Sequence, residues 1–480
     1  MTTTRRVLIQ GMLGSAATGL LAGCRRSGLG PATEEIPPYL PGQNLPWTNW
    51  AGNQGCRPAY REAPVDEQAL ADLLARKDGT IRPVGAGHSF SPLVPSDGTL
   101  VACDLMEGVI DVSTERLEAE VWAGTRLHKL GPGLERHGQA MPNLPDIDYQ
   151  TLGGAIATST HGTGRRFGSL SSYVTALALV TPSGEILECS RDQNAEIFHA
   201  ARCSLGVLGV VSRITLQNQP PFELTKTTSF GGLHEVLEEV EMRREQHRHL
   251  ELYLFPYIDL AMTIAMDELS PDSVSVPDSE ITPFSAETMR DVYRSVGGIP
   301  LFGGALYEAL ITSAADLSLT TRSGPSYEIL TNQRIDRFRE MEYTIPADAG
   351  PACIREILDT IRKQAIPVVY PIEYRYTRGD DVWLSMFNQR DGCSISIHQF
   401  VDEDHKEYFD IIEGIFRKYE GRPHWGKLHS MNHSELAGLY PRWQDFAEVR
   451  ESLDPKGRFL NPYLESILGS KRTAAMGTRS

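Results

Sequence analysis

Apolar positions along the chain alternate between segments of helical period and short strand-like runs. From Asp66, residues Ala69, Leu70, Leu73 and Leu74 share one face of a helix that Asp66 can cap and Gly79 can end. Ile81 to Val84 then reads as a short strand running into a glycine turn. Strand-like pieces recur at Leu100–Cys103, Ala119–Trp122 and Val174–Val180, and between the second and third Leu127, Leu130 and Leu134 keep helical spacing. This mixture continues to about Leu216 and predicts an α/β or α+β unit. After Pro220 the pattern changes to a charged amphipathic helix around Leu233–Arg244, followed by strands at Leu250–Phe255, Pro367–Tyr376 and Ser394–Phe400. A polar insertion rich in Pro, Ser and acids, Asp267 to Ser285, interrupts that region. The predicted organisation is a first domain over 46–219, a second over 220–420, a segment 421–468 returning to the first, and a tail 469–480. Neither repeat nor heptad is visible.

The opening residues read as an address. Thr4-Arg5-Arg6-Val7 precedes a short apolar stretch of small residues that ends at Leu21-Ala22-Gly23-Cys24. A basic head, a short apolar middle and small residues before a break describe a secretory signal over 1–23, too short for a membrane helix. The paired arginines resemble the signal for the twin-arginine export machinery, which carries folded proteins. The last four residues resemble a lipobox, in which Cys24 becomes the lipidated first residue. The plainer alternative is an ordinary secretory signal with Cys24 incidental. Residues 24–45 are rich in Pro, Gly and Ser and read as a tether. These features predict an exported, periplasmic or extracytoplasmic protein anchored to the membrane through Cys24.

Composition narrows the class. The chain has 480 residues, and 46 Lys plus Arg against 62 Asp plus Glu leave a net charge of −16. Loss of residues 1–23 removes Arg5 and Arg6 and no acid, so −16 becomes −18. Such a balance disfavours nucleic acid, which needs clustered cations. With 41% apolar residues a sizeable core is possible. Of seven cysteines, none forms a Cys-x-x-Cys pair, and six scattered thiols besides Cys24 do not read as a disulfide framework.

Three segments carry the chemistry. In Arg82-Pro83-Val84-Gly85-Ala86-Gly87-His88-Ser89, two glycines after a strand let backbone N–H groups approach a phosphate as an anion nest. The third glycine of the dinucleotide fingerprint is absent, and His88 can be a base, a ligand or a covalent attachment point. In Thr151-Leu152-Gly153-Gly154-Ala155-Ile156-Ala157-Thr158-Ser159-Thr160-His161-Gly162-Thr163-Gly164, so many small side chains imply backbone lying against something large and flat. In Leu205-Gly206-Val207-Leu208-Gly209-Val210-Val211, glycines within an apolar run suit close approach to a ligand. Farther on, Glu373 and Arg375 stand two apart on a predicted strand and so share a face. A surface ion pair is the plain reading of that pair. Its flanks, Pro371-Ile372 and Tyr374-Tyr376, argue against a face in plain solvent. His424, His429 and His433 lack the Glu of a zinc-binding His-Glu-x-x-His, so no metal is expected.

In this order the segments resemble the flavin-binding (PCMH-type) domain of the vanillyl-alcohol-oxidase superfamily. More narrowly, the chain is similar to its sugar-1,4-lactone oxidase and alditol oxidase group, D-arabinono-1,4-lactone oxidase-like proteins included. Asn49-Trp50-Ala51-Gly52-Asn53, Ile372-Glu373-Tyr374-Arg375, His424-Trp425-Gly426-Lys427 and the ending Asp454-Pro455 through Asn461-Pro462-Tyr463-Leu464 carry that narrower likeness. The resemblance implies an α+β fold: an FAD-binding domain of two α/β subdomains, and a substrate cap with an antiparallel sheet. It implies that Pro83, Val84, Gly85, Ala86, Gly87, His88 and Ser89 wrap the FAD pyrophosphate, with His88 bonded covalently to the flavin ring methyl. Thr151, Ile156, Ser159, Thr160, His161 and Gly162 would line the isoalloxazine and phosphates, and Val210 or Val211 the adenine. Glu373, Arg375 and Lys427 would hold the substrate hydroxyls, with His398 in the same pocket. The family often has Gly where this chain has Ser159, so a side chain against the flavin is expected to restrict oxygen or alter FAD packing.

The implied activity is oxidation of a CH–OH group of an aldono-1,4-lactone by hydride transfer to FAD, with O2 or another electron acceptor completing the cycle. Rival readings are an alditol oxidase, a dehydrogenase that ignores oxygen, and a periplasmic sugar-binding lipoprotein without catalysis.

Overall fold

The computed structural model describes residues 45–269, 286–297, 303–315, 320–332 and 337–469. The export segment with Cys24, the tether to residue 44, most of the polar insertion and the tail from 470 lie outside them. The described chain begins with a short ribbon, β1 (Trp47–Thr48) paired with β2 (Gly55–Cys56). Next comes a three-stranded parallel sheet of β3 (Tyr60–Glu62), β4 (Ile81–Val84) and β5 (Thr99–Ala102), with β5 central. Parallel strands need a crossover. Here it is the helix Glu67–Arg76, whose N-cap Asp66 accepts from the Ala69 amide at 2.7 Å. The helix buries Leu70, Ala71, Leu73 and Leu74, so Ala71 stands where Ala69 was expected.

A five-stranded antiparallel sheet follows, in the order β6 (Val109–Ser113), β7 (Glu118–Trp122), β10 (Val210–Gln217), β8 (Val174–Val180) and β9 (Ile186–Ser190). Val180 and Val210 pack with the Glu67–Arg76 helix, Val101 and the distant Phe459 in one core. The C-terminal Asp454–Tyr463 stretch is thereby part of this half of the molecule. Arg82 secures it, donating to the carbonyls of Leu93, Leu205, Gly206 and Phe459 at 2.5–2.9 Å.

The remaining strands form an eight-stranded antiparallel sheet. These are β11 (Glu223–Gly231), β12 (His249–Leu254), β13 (Ala261–Glu268), β14 (Thr320–Pro325), β15 (Phe338–Pro346), β16 (Ile372–Thr377), β17 (Gly392–Phe400) and β18 (Arg422–Pro423). Their spatial order is β14-β11-β13-β12-β16-β17-β15-β18. Every residue of β16 and β17 is buried. On one face Met341, Tyr343, Tyr374, Ile395 and Ile397 join a core with the amphipathic helices Gly350–Gln364 and Lys406–Lys418. By the two-residue alternation of a strand, Glu340, Glu342, Glu373, Arg375 and His398 share the opposite face.

Three expectations are corrected. The strand predicted from Pro367 begins at Ile372, because Pro367 and Pro371 have no N–H for the ladder. The insertion predicted from Asp267 starts later: β13 continues through Glu268, and Asp267 accepts from the Arg248 amide at 2.7 Å. The cap sheet runs past residue 420, because Tyr343 pairs with Pro423 at its edge. Cys56, Cys103, Cys189, Cys203, Cys353 and Cys393 are free thiols.

Candidate active site

The glycine turn after β4 opens a long cleft lined by Pro83 through Ser89, Thr151, Thr160, Val210 and Val211. Thr151 caps the helix Leu152–Ala157 and accepts from the Gly154 amide at 3.3 Å. A Cβ on Gly85 would lie 2.2 Å from Thr151 Oγ1, so backbone and cap meet with no room for a side chain. Gly87 takes φ +70°, which suits glycine. No carbonyl of the described residues accepts from the N–H groups of Gly85 to Ser89, which leaves a row of donors along the turn. The turn is held from behind: Trp50 N donates to Gly87 O at 2.8 Å, Asn49 to Ser89 O at 2.9 Å, and Asn53 to Phe90 O at 2.8 Å. The Asn49–Asn53 motif is thus the brace of the anion nest.

His88 stands in this cleft beside the Trp50 ring, 5.4 Å between centroids. Its Nδ1 is buried with no hydrogen-bond partner. Burial first, then the charges of Lys427 and Arg126, pushes its pKa down to about 4, so the ring is neutral at pH 7. Donors suited to a diphosphate, small residues against a flat group and one neutral, unpartnered imidazole fit FAD.

Four residues predicted to line the cofactor do not line this cleft, and one of them, His161, lies in the pocket described below. Ile156 lies wholly in the core on the inner face of its helix. Gly162 packs on Leu144 O and Asn143. Ser159 adopts φ +55°, the left-handed conformation that explains a family preference for glycine, and its Oγ donates to Ser385 Oγ at 3.0 Å, away from the cleft. Its hydroxyl therefore does not line the cleft.

At one end the cleft meets a second pocket, and Thr160, His424 and Lys427 line both. Glu373, Arg375, His398 and His161 join there. Arg375 Nη2 donates to Glu342 Oε2 at 2.9 Å and lies 3.2 Å from Glu373 Oε2. Tyr253 OH bridges Glu251 (2.9 Å) and Glu373 (3.2 Å). Lys427 Nζ contacts Glu340 Oε2 at 2.5 Å, and His398 Nε2 lies 3.6 Å from Glu340 Oε1. His161 Nε2 sits 2.6 Å from Glu342 Oε1, on the substrate side of the junction.

The charges here are set by pairing against burial. Burial alone would raise all four carboxyls. His161 and Arg375 overcome it at Glu342, Lys427 at Glu340 and Arg375 at Glu373, and all three are held below the usual range. Glu251 goes the other way: burial and then the neighbouring Glu373 raise it well above that range, so it is the neutral acid of the pair. Sequence reasoning missed Glu251, Tyr253, Glu340 and Glu342. The alternation Glu340-Met341-Glu342 on a strand was the available signal. His429 and His433 are engaged elsewhere, with Tyr463 OH at 2.9 Å and Ile467 O at 3.2 Å.

Comparison with known proteins bears on this geometry. Residues 58–190 match an FAD binding domain family, and residues 214–467 match the D-arabinono-1,4-lactone oxidase family. This chain belongs to the D-arabinono-1,4-lactone oxidase family. It is 36% identical over 433 residues to an L-gulono-1,4-lactone dehydrogenase of Mycobacterium tuberculosis, covering 88% of this chain and 99% of that one. It is 32% identical to the L-gulonolactone oxidase of Bos taurus (88% and 98% covered) and 28% identical to an alditol oxidase of a Streptomyces species (88% and 98%). A solved cholesterol oxidase of Brevibacterium sterolicum shares the fold at TM-score 0.72 and 18% identity, with 90% and 99% covered. This family member thus has the PCMH-type α+β fold with an antiparallel cap sheet, uses FAD, and is an oxidoreductase acting on CH–OH groups. The non-catalytic sugar-binding reading falls away.

Proposed function

We propose that this family member oxidises a carbinol of an aldono-1,4-lactone while FAD is held covalently by His88. The observation that carries this reading is the junction itself: Arg375 and Lys427, each on buried carboxylates, face a pocket that opens into the cofactor cleft. FAD, when bound, supplies the acceptor for a hydride from the carbinol carbon. The chain supplies the rest. Arg375 presents a planar fork to the hydroxyl and ring oxygens of a neutral, polyhydroxylated substrate. Glu373, with Tyr253 and the neutral Glu251 behind it, accepts from a substrate hydroxyl. The carbinol proton leaves through the group formed by His398, Glu340 and Lys427, whose ammonium steadies the developing oxyanion. Oxygen is the proposed final acceptor, giving hydrogen peroxide.

Anaerobic flavin absorbance, titrated separately with an aldonolactone and a polyol, tests the reading. Bleaching by lactone is expected. Bleaching by polyol alone would transfer the assignment to alditol oxidation. Readmitted air should yield peroxide in step with substrate loss; reoxidation only by an added dye would make the enzyme a dehydrogenase. We further propose export by the twin-arginine route and anchoring through Cys24, on the strength of Arg5-Arg6 and Leu21-Ala22-Gly23-Cys24. Fractionation of cells carrying Cys24→Ser checks this, with release from the membrane expected and unchanged membrane retention contradicting the anchor.

A further inference from the structure

In the substrate pocket the carboxyls of Glu340, Glu342 and Glu373 are held below the usual range, whereas that of Glu251 is raised well above it. Two fixed cations face them: Lys427 on Glu340, and Arg375 between Glu342 and Glu373. Buried ions are tolerated when paired. Besides the His398 ring at Glu340, the His161 ring stands against Glu342. Its Nδ1 lies 2.8 Å from the carbonyl of Gly162 and its Nε2 2.6 Å from the carboxylate of Glu342. A carbonyl and a carboxylate can only accept, so each ring nitrogen must donate.

We infer that His161 is held as an imidazolium, and that its ion pair with Glu342 is the device that positions Arg375 for substrate. The side chains of His161 and Glu342 are each 1% exposed, so the pair is not screened by water. Glu342 is shared. Its Oε1 takes the His161 hydrogen, while its Oε2 takes those of Arg375 Nη2 and Ser396 Oγ, both at 2.9 Å. One carboxylate therefore ties the small-residue segment of the FAD-binding half to the substrate-gripping strand of the cap. The other groups around the ring are Thr377 Oγ1 and Ser394 Oγ, both at 3.4 Å, the Phe387 ring, and His424 with its centroid 5.9 Å away. His424 does not compete for the charge: its Nδ1 accepts from the Gly426 amide at 3.0 Å, and burial pushes its pKa down to about 3. With His161 charged, the Glu342 carboxylate meets a cation at each oxygen, His161 at Oε1 and Arg375 at Oε2.

The charge on His161 is independent of the substrate, whereas the effect on KM rests on the function proposed above. Nitrogen-15 NMR of the histidine-labelled holoenzyme at neutral pH tests the charge, with the His161 signals identified by their absence in His161→Gln. Two protonated ring nitrogens are expected, and one bare nitrogen would overturn the inference. Glu342→Gln should remove the doubly protonated signature and raise KM for the lactone about tenfold or more, with a smaller change in kcat. Glu342→Asp should recover part of both. Should the glutamine variant not fold, the aspartate variant carries the kinetic test, since a purely structural role predicts no selective rise in KM. An unchanged KM in a folded variant would sink the positioning role. A wild type inert toward lactones would sink the substrate reading alone, because the NMR still decides the ring charge.

Discussion

At the scale of single residues, His88 shows what burial does to the imidazole we propose as the flavin's attachment point. A histidine in water is part cationic near neutral pH, but this one is kept neutral, with its pKa pushed down to about 4 and Nδ1 left without a partner. A neutral ring nitrogen facing the cofactor cleft is the form that can attack a carbon. Acid precipitation of wild-type protein should therefore leave yellow, flavin-fluorescent pellet, and His88→Ala should release all flavin to the supernatant. Free flavin from the wild type would refute the covalent link while leaving FAD binding intact. Ser159 carries the opposite lesson: its positive φ turns the hydroxyl toward Ser385, so the residue that breaks the family pattern alters the far side of the turn.

At the scale of elements, the site depends on how strands and turns are joined. Arg82 is 1% exposed and has no carboxylate partner among the described residues. Its four carbonyl acceptors come from the loop after the glycine turn, the 205–206 turn and the C-terminal segment. Burial costs the guanidinium enough to bring its pKa down to about 9, and the carbonyls offset that cost. Arg82→Met would strand those carbonyls in a dry core. We expect a loss of about 3 kcal/mol or more in urea unfolding of the flavin-loaded protein. A loss below about 1 kcal/mol would mean that the three segments hold together without this residue.

At the scale of the whole molecule, buried titratable groups set the pH range of stability. Burial lowers His249 and His429 to about 4 and His424 to about 3. Their contribution is complete above the unfolded value of 6.5 and is lost as pH falls toward 4. Asp380 opposes them. Burial raises it from 3.8 to about 6, so its contribution is complete below 3.8 and disappears as pH rises through 6. Counting His88, four lowered histidines outweigh the raised carboxyls of Asp380, Glu251 and Asp148, and the urea midpoint should rise with pH between about 4 and 6.5. His249→Asn retains a donor for Thr163 O but cannot take up a proton, so it should flatten that rise. A slope unchanged by the substitution would place the dependence elsewhere.

Much of this was legible in the chain itself. Asp66 capping its helix, the strand at Val174–Val180, the glycine nest before His88 and the pairing of Glu373 with Arg375 on one strand face are local facts, written in spacing and side-chain chemistry over a few residues. The family likeness added the cofactor because its motifs keep their order. Tertiary structure alone brought Glu251, Glu340 and Glu342 to Arg375. They stand on β12 and β15, far from β16 in sequence, and strand pairing at that separation leaves no trace in local periodicity. It also decided that Ile156, Ser159 and Gly162 turn away from the cleft, since a backbone angle and a packed neighbour, rather than residue type, set where each side points. Short-range patterns determine elements and candidate chemistry; which charges meet, and in which protonation state, is decided where those elements pack and exclude water.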